Sequence, residues 1–176
     1  TIDGVSSLKP IECRIFPDRI EAGTYMIAAA ITQGDVLIEN CIPHHVEPII
    51  LKLQEAQVDV EVEKSSIRVR GGRPLSAVNA KTHPYPGFPT DIQAQFMALM
   101  TLSQGQSIII EKIFENRFMH VAELKRMGAD ISLDGHTAII KGVQTLSGAP
   151  LMATDLRASA SLVLAALAAK GQAIIS

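Results

Sequence analysis

The chain has 176 residues, 47% of them hydrophobic and 19% charged, with a net charge of −2. That length suffices for one domain with a sizeable core. The charge excludes a general basic surface for nucleic acid, so an anionic ligand must be met by a few placed cations.

The first predicted element is a helix over residues 20–33 (IEAGTYMIAAAITQ), stopped by Gly34 and followed by the strand-like run DVLIEN. Residues 46–56 (VEPIILKLQEA) carry an apolar stripe and a charged face, as an amphipathic helix does. Residues 58–71 (VDVEVEKSSIRVRG) alternate apolar and charged, so they read as a hairpin with one packed and one wet face. The plan then repeats. A helix at 91–104 stops at Gly105, QSIIIEK follows, 117–128 (RFMHVAELKRMG) is amphipathic, and 129–142 (ADISLDGHTAIIKG) is a second hairpin. A third helix at 156–170 stops at Gly171 and leads into QAIIS. The helices at 20–33, 91–104 and 156–170 have almost no charge in their middles, which predicts burial.

The blocks superpose without a gap at an offset of 71 residues: Met26 with Met97, Gly34 with Gly105, Leu53 with Leu124, Asp59 with Asp130, Gly71 with Gly142. The expected organisation is one domain over 1–176, with two βαβαββ units at about 5–71 and 72–142 and an incomplete third at about 143–176. Buried helices with half-wet strands predict an inside-out α/β (α+β) domain, sheets outside and helices inside, the reverse of the usual α/β layering.

Cys13 and Cys41 have no CxxC spacing and follow no secretory signal, so they read as reduced, buried thiols of a cytosolic protein. The longest apolar run, residues 161–169, is too short to span a bilayer, and no membrane association is expected. The first residues, TIDGV, lack an initiator Met, which points to a piece of a longer protein.

Thr90 followed three residues later by Gln93 reads as a capping box. Asp91 is then a carboxylate that the helix does not need, there either to complement the helix dipole or for a ligand. Arg117 falls at a helix start, where a cation is mildly unfavourable. It needs a partner, either Glu115 or a ligand phosphate. Asp155 reads as a cap, paired with Arg157, and the repeat places Arg157 in the same column as Asp91 and Ile20. A threefold arrangement brings these helix starts to one end, where backbone N–H groups favour anions. His44, His45, His83, His120 and His136 show no metal spacing and read as surface or helix-start residues. Neither a phosphate loop nor a dinucleotide loop is present, and no metal or cofactor is expected.

Three long stretches carry a resemblance: PGFPTDIQAQF (86–96), IFENRFMHVAELKRMGADI (113–131) and LSGAPLMATDLRASASLVLAALAAKG (146–171). With PDRIEAGTYMIAAAI (17–31) and AVNAKTHPYPGFPTD (77–91), they resemble the enolpyruvyl transferase family, in its UDP-N-acetylglucosamine 1-carboxyvinyltransferase branch. The resemblance implies most of one domain of a two-domain cytoplasmic transferase. It implies phosphoenolpyruvate and UDP-N-acetylglucosamine as substrates, with enolpyruvyl passing to the sugar 3-hydroxyl. That step commits material to peptidoglycan synthesis, hence to cell wall biogenesis, cell shape, cell division and the cell cycle.

By the same resemblance, Asp91 contacts the 3-hydroxyl and is a candidate base. Ile113 contacts the sugar nucleotide through its backbone. The region of Asp155 and Arg157 adjoins the phosphoenolpyruvate side. Read from the residues themselves, Thr90 is a cap first and lines the ligand second, Phe114 lines the nucleotide pocket or packs in the core, and Arg117 pairs with Glu115 or a ligand phosphate. A cysteine loop, a Lys-Asn pair and several arginines of the family lie outside this segment. GGRP (71–74) has no nearby Cys and belongs to the domain's own pattern. The isolated chain is therefore expected to be inactive. The alternatives are a non-catalytic scaffold or assembly domain of the same fold, and the sister branch acting on shikimate 3-phosphate.

Overall fold

The computed structural model describes residues 1–153 and 155–176. It starts its regular structure with α1 (Arg19–Ile31) and β1 (Asp35–Glu39), then passes through a 3-10 turn at Pro43–Val46 into α2 (Glu47–Glu55). The hairpin β2 (Asp59–Val62) and β3 (Ser66–Arg70) follows. The next block comprises β4 (Ala80–Lys81), a 3-10 turn at Thr90–Ile92, α3 (Gln93–Met100), β5 (Gln106–Ile110), α4 (His120–Arg126), β6 (Asp130–Asp134) and β7 (Thr137–Lys141). The last holds β8 (Pro150–Leu151), α5 (Leu156–Ala168) and β9 (Ile174–Ile175).

Each block builds its own sheet. The first has the order β1-β3-β2, all antiparallel. The second has the order β4-β5-β7-β6, with β4 parallel to β5 and the others antiparallel. The third pairs β8 with β9 in parallel. Hydrogen bonds recur at the repeat offset. The Val58 N–H donates to the Leu53 carbonyl at 2.9 Å, and Ala129 to Leu124 at 3.1 Å. Gly71 donates to Gly34 at 2.8 Å, and Gly142 to Gly105 at 3.0 Å. Both glycines sit where the closing strand crosses the end of a central helix. A Cβ on Gly142 would lie 1.5 Å from the Ser103 carbonyl oxygen, so nothing larger fits.

The helices α1, α3 and α5 pack on one another, and the sheets lie outside them. Every residue of α3 is buried, and Phe96, Met97, Leu99 and Met100 are fully enclosed. Burying a side chain such as Phe96 contributes about 2–3 kcal/mol. The outer sheet face is wet and charged: Arg68 makes a bidentate pair with Asp35 at 2.8 and 2.7 Å, and Arg70 reaches Glu61 at 2.6 Å. Such exposed pairs add little stability. Among the described residues no helix is long and apolar enough to cross a membrane.

Several details differ from the sequence reading. The first block has no opening strand among the described residues, because residues 1–17 run exposed and make no ladder. Cys13 lies in that stretch and is exposed, whereas Cys41 is buried with its thiol 3.7 Å from the Ile38 and Ser65 carbonyls. The helix expected at 91–104 is an α-helix only over Gln93–Met100, entered by the tighter turn at Thr90–Ile92. Apolar composition all round gives burial all round in α3 but not in α5, which leaves Leu156, Val163 and Leu167 exposed. The amphipathic helix of the second unit, α4, packs on α5 of the third unit rather than on α3 of its own.

Candidate functional site

The starts of α3 and α5 meet at one end of the helix core. The α5 start is fixed by Asp155, whose carboxylate accepts the N–H groups of Arg157 at 2.8 Å and Ala158 at 2.9 Å. This is an N-cap, satisfying two orphan donors of the first turn. Among the described residues Asp155 makes no bond to the Arg157 side chain. The Arg157 guanidinium instead donates through Nε to Oδ1 of Asp91, so two members of one repeat column touch across the core.

Asp91 sits in the 3-10 turn ahead of α3. A second guanidinium reaches the same oxygen: Arg117 donates from Nη2 to Oδ1 of Asp91 at 3.3 Å and from Nη1 to the Thr90 hydroxyl at 2.6 Å. Arg117 also stacks on the Phe114 ring, 4.3 Å from its centroid. The Asp91 side chain is 29% exposed. Both guanidiniums use Oδ1, and among the described residues Oδ2 accepts no hydrogen bond. A carboxylate with one oxygen pinned by two cations and the other free of hydrogen bonds can orient a hydroxyl and take its proton.

Behind this pair lies a buried acid. Glu111 follows β5 and is 1% exposed. Its Oε1 accepts from the Thr82 hydroxyl at 2.8 Å, the Ile113 N–H at 2.8 Å and the Phe114 N–H at 3.2 Å. Its Oε2 accepts from the Thr90 hydroxyl at 2.8 Å. Four donors make burial of the carboxylate tolerable. The Lys112 N–H donates to the Thr82 hydroxyl at 2.8 Å, fastening the same loop a second time.

The expected residues therefore fall together, with corrections to how they are held. Thr90, Asp91, Arg117 and Arg157 form one connected cluster, and Ile113 and Phe114 border it through Glu111. Thr90 does not cap α3: no side-chain cap bond is made there, because its hydroxyl is taken by Glu111 and Arg117. Arg117 precedes α4 rather than opening it, and its partners are Thr90 and Asp91, not Glu115. Ile113 is 37% and Phe114 52% exposed. His120 opens α4 but is buried, not a surface residue. Sequence reasoning missed Glu111; its one signal was a charge continuing the apolar run SIII. On the same loop, a cavity of about 460 Å³ is lined by Glu111, Phe114, Asn116, Phe118 and His136 and by neither Asp91 nor Arg157.

Comparison with known proteins bears on this geometry. The profile of the EPSP synthase (3-phosphoshikimate 1-carboxyvinyltransferase) family matches residues 1–176. The chain is 58% identical over 176 residues to a UDP-N-acetylglucosamine 1-carboxyvinyltransferase of Myxococcus xanthus. It is 59% identical over 171 residues to the protein of the same name in Desulfatibacillum aliphaticivorans. It spans 42% and 41% of those two relatives, and 100% and 97% of its own length takes part. Among solved structures it is similar to the enolpyruvyl transferase NikO from Streptomyces tendae, with TM-score 0.80 and 26% identity over 92% of this chain and 39% of that one. An EPSP synthase from Acinetobacter baumannii shares the fold, with TM-score 0.70 and 16% identity over 92% of this chain and 39% of that one.

Proposed function

The chain belongs to the EPSP synthase (3-phosphoshikimate 1-carboxyvinyltransferase) family, and from that premise we propose that it supplies the hydroxyl-activating part of an enolpyruvyl transfer site. The acceptor is the 3-hydroxyl of UDP-N-acetylglucosamine and the donor is phosphoenolpyruvate. The observation that carries the reading is Asp91, whose Oδ1 is held by Arg117 and Arg157 while Oδ2 is open among the described residues.

The proposed step follows from that geometry. The sugar 3-hydroxyl donates to Oδ2 of Asp91, and its oxygen attacks C2 of phosphoenolpyruvate as the proton moves to the carboxylate. The donor methylene carbon takes up a proton from a general acid, giving a tetrahedral intermediate. Loss of phosphate from C2 and return of a methyl proton to the conjugate base of that acid then form the enol ether, and Asp91 passes its proton to the departing phosphate. Fixing the hydroxyl in an attack geometry contributes alongside proton transfer. In this reading Ile113 and Phe114 line the sugar-nucleotide side, and Asp155 caps the helix that carries Arg157.

The relatives' names favour UDP-N-acetylglucosamine over shikimate 3-phosphate, and a non-catalytic scaffold would have no use for a partly exposed carboxylate held by two arginines. The proposed setting is one enolpyruvyl-transferase-like domain with units at about 5–71, 72–142 and 143–176. It works beside a second domain that brings a cysteine loop and further phosphate-binding cations. The proposed pathway is cytoplasmic peptidoglycan synthesis, which serves cell shape and division. The 176-residue chain alone should release no phosphate from the two substrates.

The test is Asp91→Asn in a full-length protein carrying this sequence. With UDP-N-acetylglucosamine as acceptor, kcat should fall by about 10²–10⁴, while affinity for the sugar nucleotide changes far less. A near-normal kcat, or a preference for shikimate 3-phosphate as acceptor, overturns the reading.

A further inference from the structure

Glu111 accepts hydrogen bonds from both edges of the candidate site at once. Through Oε1 it holds the Ile113 and Phe114 N–H groups, and through Oε2 it holds the Thr90 hydroxyl. The Thr90 oxygen in turn accepts from Arg117, and Arg117 donates to Asp91. We infer that Glu111 is a positioning residue for the transfer step, which sets the orientation of Asp91 through Thr90 and Arg117 and fixes the 112–114 loop against the sugar nucleotide. This rests on the proposed role of Asp91.

The direction of each hydrogen bond supports the inference. A carboxylate only accepts. Glu111 therefore forces the Thr90 hydroxyl to donate toward it, which turns the lone pairs of the Thr90 oxygen to the Arg117 guanidinium. One arm of Arg117 is thus locked at 2.6 Å, and its other arm is aimed at Oδ1 of Asp91. An amide at position 111 would present a donor on one side. Facing Thr90, it would compete with Arg117 for the same lone pairs. Facing Thr82, it would oppose two backbone N–H groups. Either placement breaks a connection that the carboxylate makes.

Charge adds a second support. Glu111 and Asp91 balance Arg117 and Arg157 within one bonded chain. Glu111 reaches Arg117 only through the Thr90 hydroxyl, so its effect on Asp91 runs through that one bond. The same carboxylate that ties the 112–114 loop also reaches the turn that carries the candidate base.

Two variants in the full-length protein separate the roles, each compared well below its thermal midpoint. Thr90→Val keeps the shape, leaves Glu111 its other three donors and cuts the link to Arg117. Its kcat should fall about 10²-fold, the cost of a displacement near 1 Å at a reacting group, with KM for UDP-N-acetylglucosamine little changed. Thr90→Ser, which keeps the hydroxyl, should recover most of that loss. Glu111→Gln should lower kcat and raise the sugar-nucleotide KM together, because both edges loosen.

A folded Thr90→Val or Glu111→Gln enzyme with native kcat overturns the inference. If Glu111→Gln fails to fold, the Thr90 pair still decides. If Asp91→Asn is inactive while Thr90→Val is normal, the site reading stands and this inference alone falls. If Asp91→Asn is itself normal, both fall.

Discussion

Acid should destabilise this fold through His120, and the size of the effect follows from how that side chain is buried. His120 opens α4 and is 2% exposed, with its Nε2 unpaired among the described residues. Burial pushes its pKa from 6.5 down to about 4, with the Asp155 carboxylate pulling weakly the other way. Well above pH 6.5 neither state binds the extra proton, so the group adds no pH dependence there. As the pH falls from 6.5 toward 4, the unfolded chain takes up the proton and the folded chain does not, so stability is lost across that window. Below about 4 both states are protonated and the loss levels off. The separation corresponds to about 3 kcal/mol.

The assay is urea unfolding of the chain from about pH 7 to about pH 4, beside His120→Leu. The substitution keeps an apolar side chain in the site and removes the proton acceptor. Carboxylates titrating in the same range affect both proteins and cancel in the difference. The stability of His120→Leu relative to the native chain should rise by about 3 kcal/mol as the pH drops. Parallel pH profiles for the two proteins would refute the reasoning.

Gly142→Ala should be severely destabilising, because a Cβ there meets the Ser103 carbonyl oxygen at 1.5 Å and its carbon at 2.7 Å. A loss of about 3 kcal/mol or more is expected, read as a fall in the thermal midpoint; an unchanged midpoint would show that the strand can give way. Asp155→Ala should cost about 1 kcal/mol as a lost N-cap, whereas Asp155→Asn should cost little, since asparagine caps as well. If Asp155→Asn in the full-length protein keeps its stability but loses rate, the carboxylate has a charge-dependent role in transfer besides the cap.

Patterns that depend on neighbours in sequence were legible. The alternation in 58–71 and 129–142 gave the two hairpins, with the hydrophobic residues Ile67, Val69, Ile131 and Ile140 buried. The apolar helix ahead of Gly105 gave the central α3, and the shared column put Asp91 and Arg157 at one end of the domain, but it did not give their contact, since Arg157 reads in the sequence as the partner of Asp155. What failed was competition between partners. Thr90 and Gln93 satisfy a local capping pattern, but a capping hydroxyl must accept a backbone N–H, and the Thr90 oxygen accepts from Arg117 instead while its proton goes to Glu111. Nothing near Glu111 in the sequence signals that residues 82, 90, 113 and 114 will surround it, because that cradle exists only once β4, β5 and the turn before α3 are assembled. The burial of His120 was hidden for a similar reason: its surroundings come from elements packed together, not from its own helix face.

The balanced chain of Glu111, Arg117, Asp91 and Arg157 also bears on the speed of encounter. Two acids and two guanidiniums cancel at distances beyond a Debye length, about 8–10 Å in ordinary buffer. On a chain of net charge −2, these four groups create no long-range pull on an anion. An anionic ligand would reach this end of the molecule by unsteered diffusion. Any steep salt dependence of its association rate would then originate in positive charge elsewhere, with the Asp91 cluster acting only after contact.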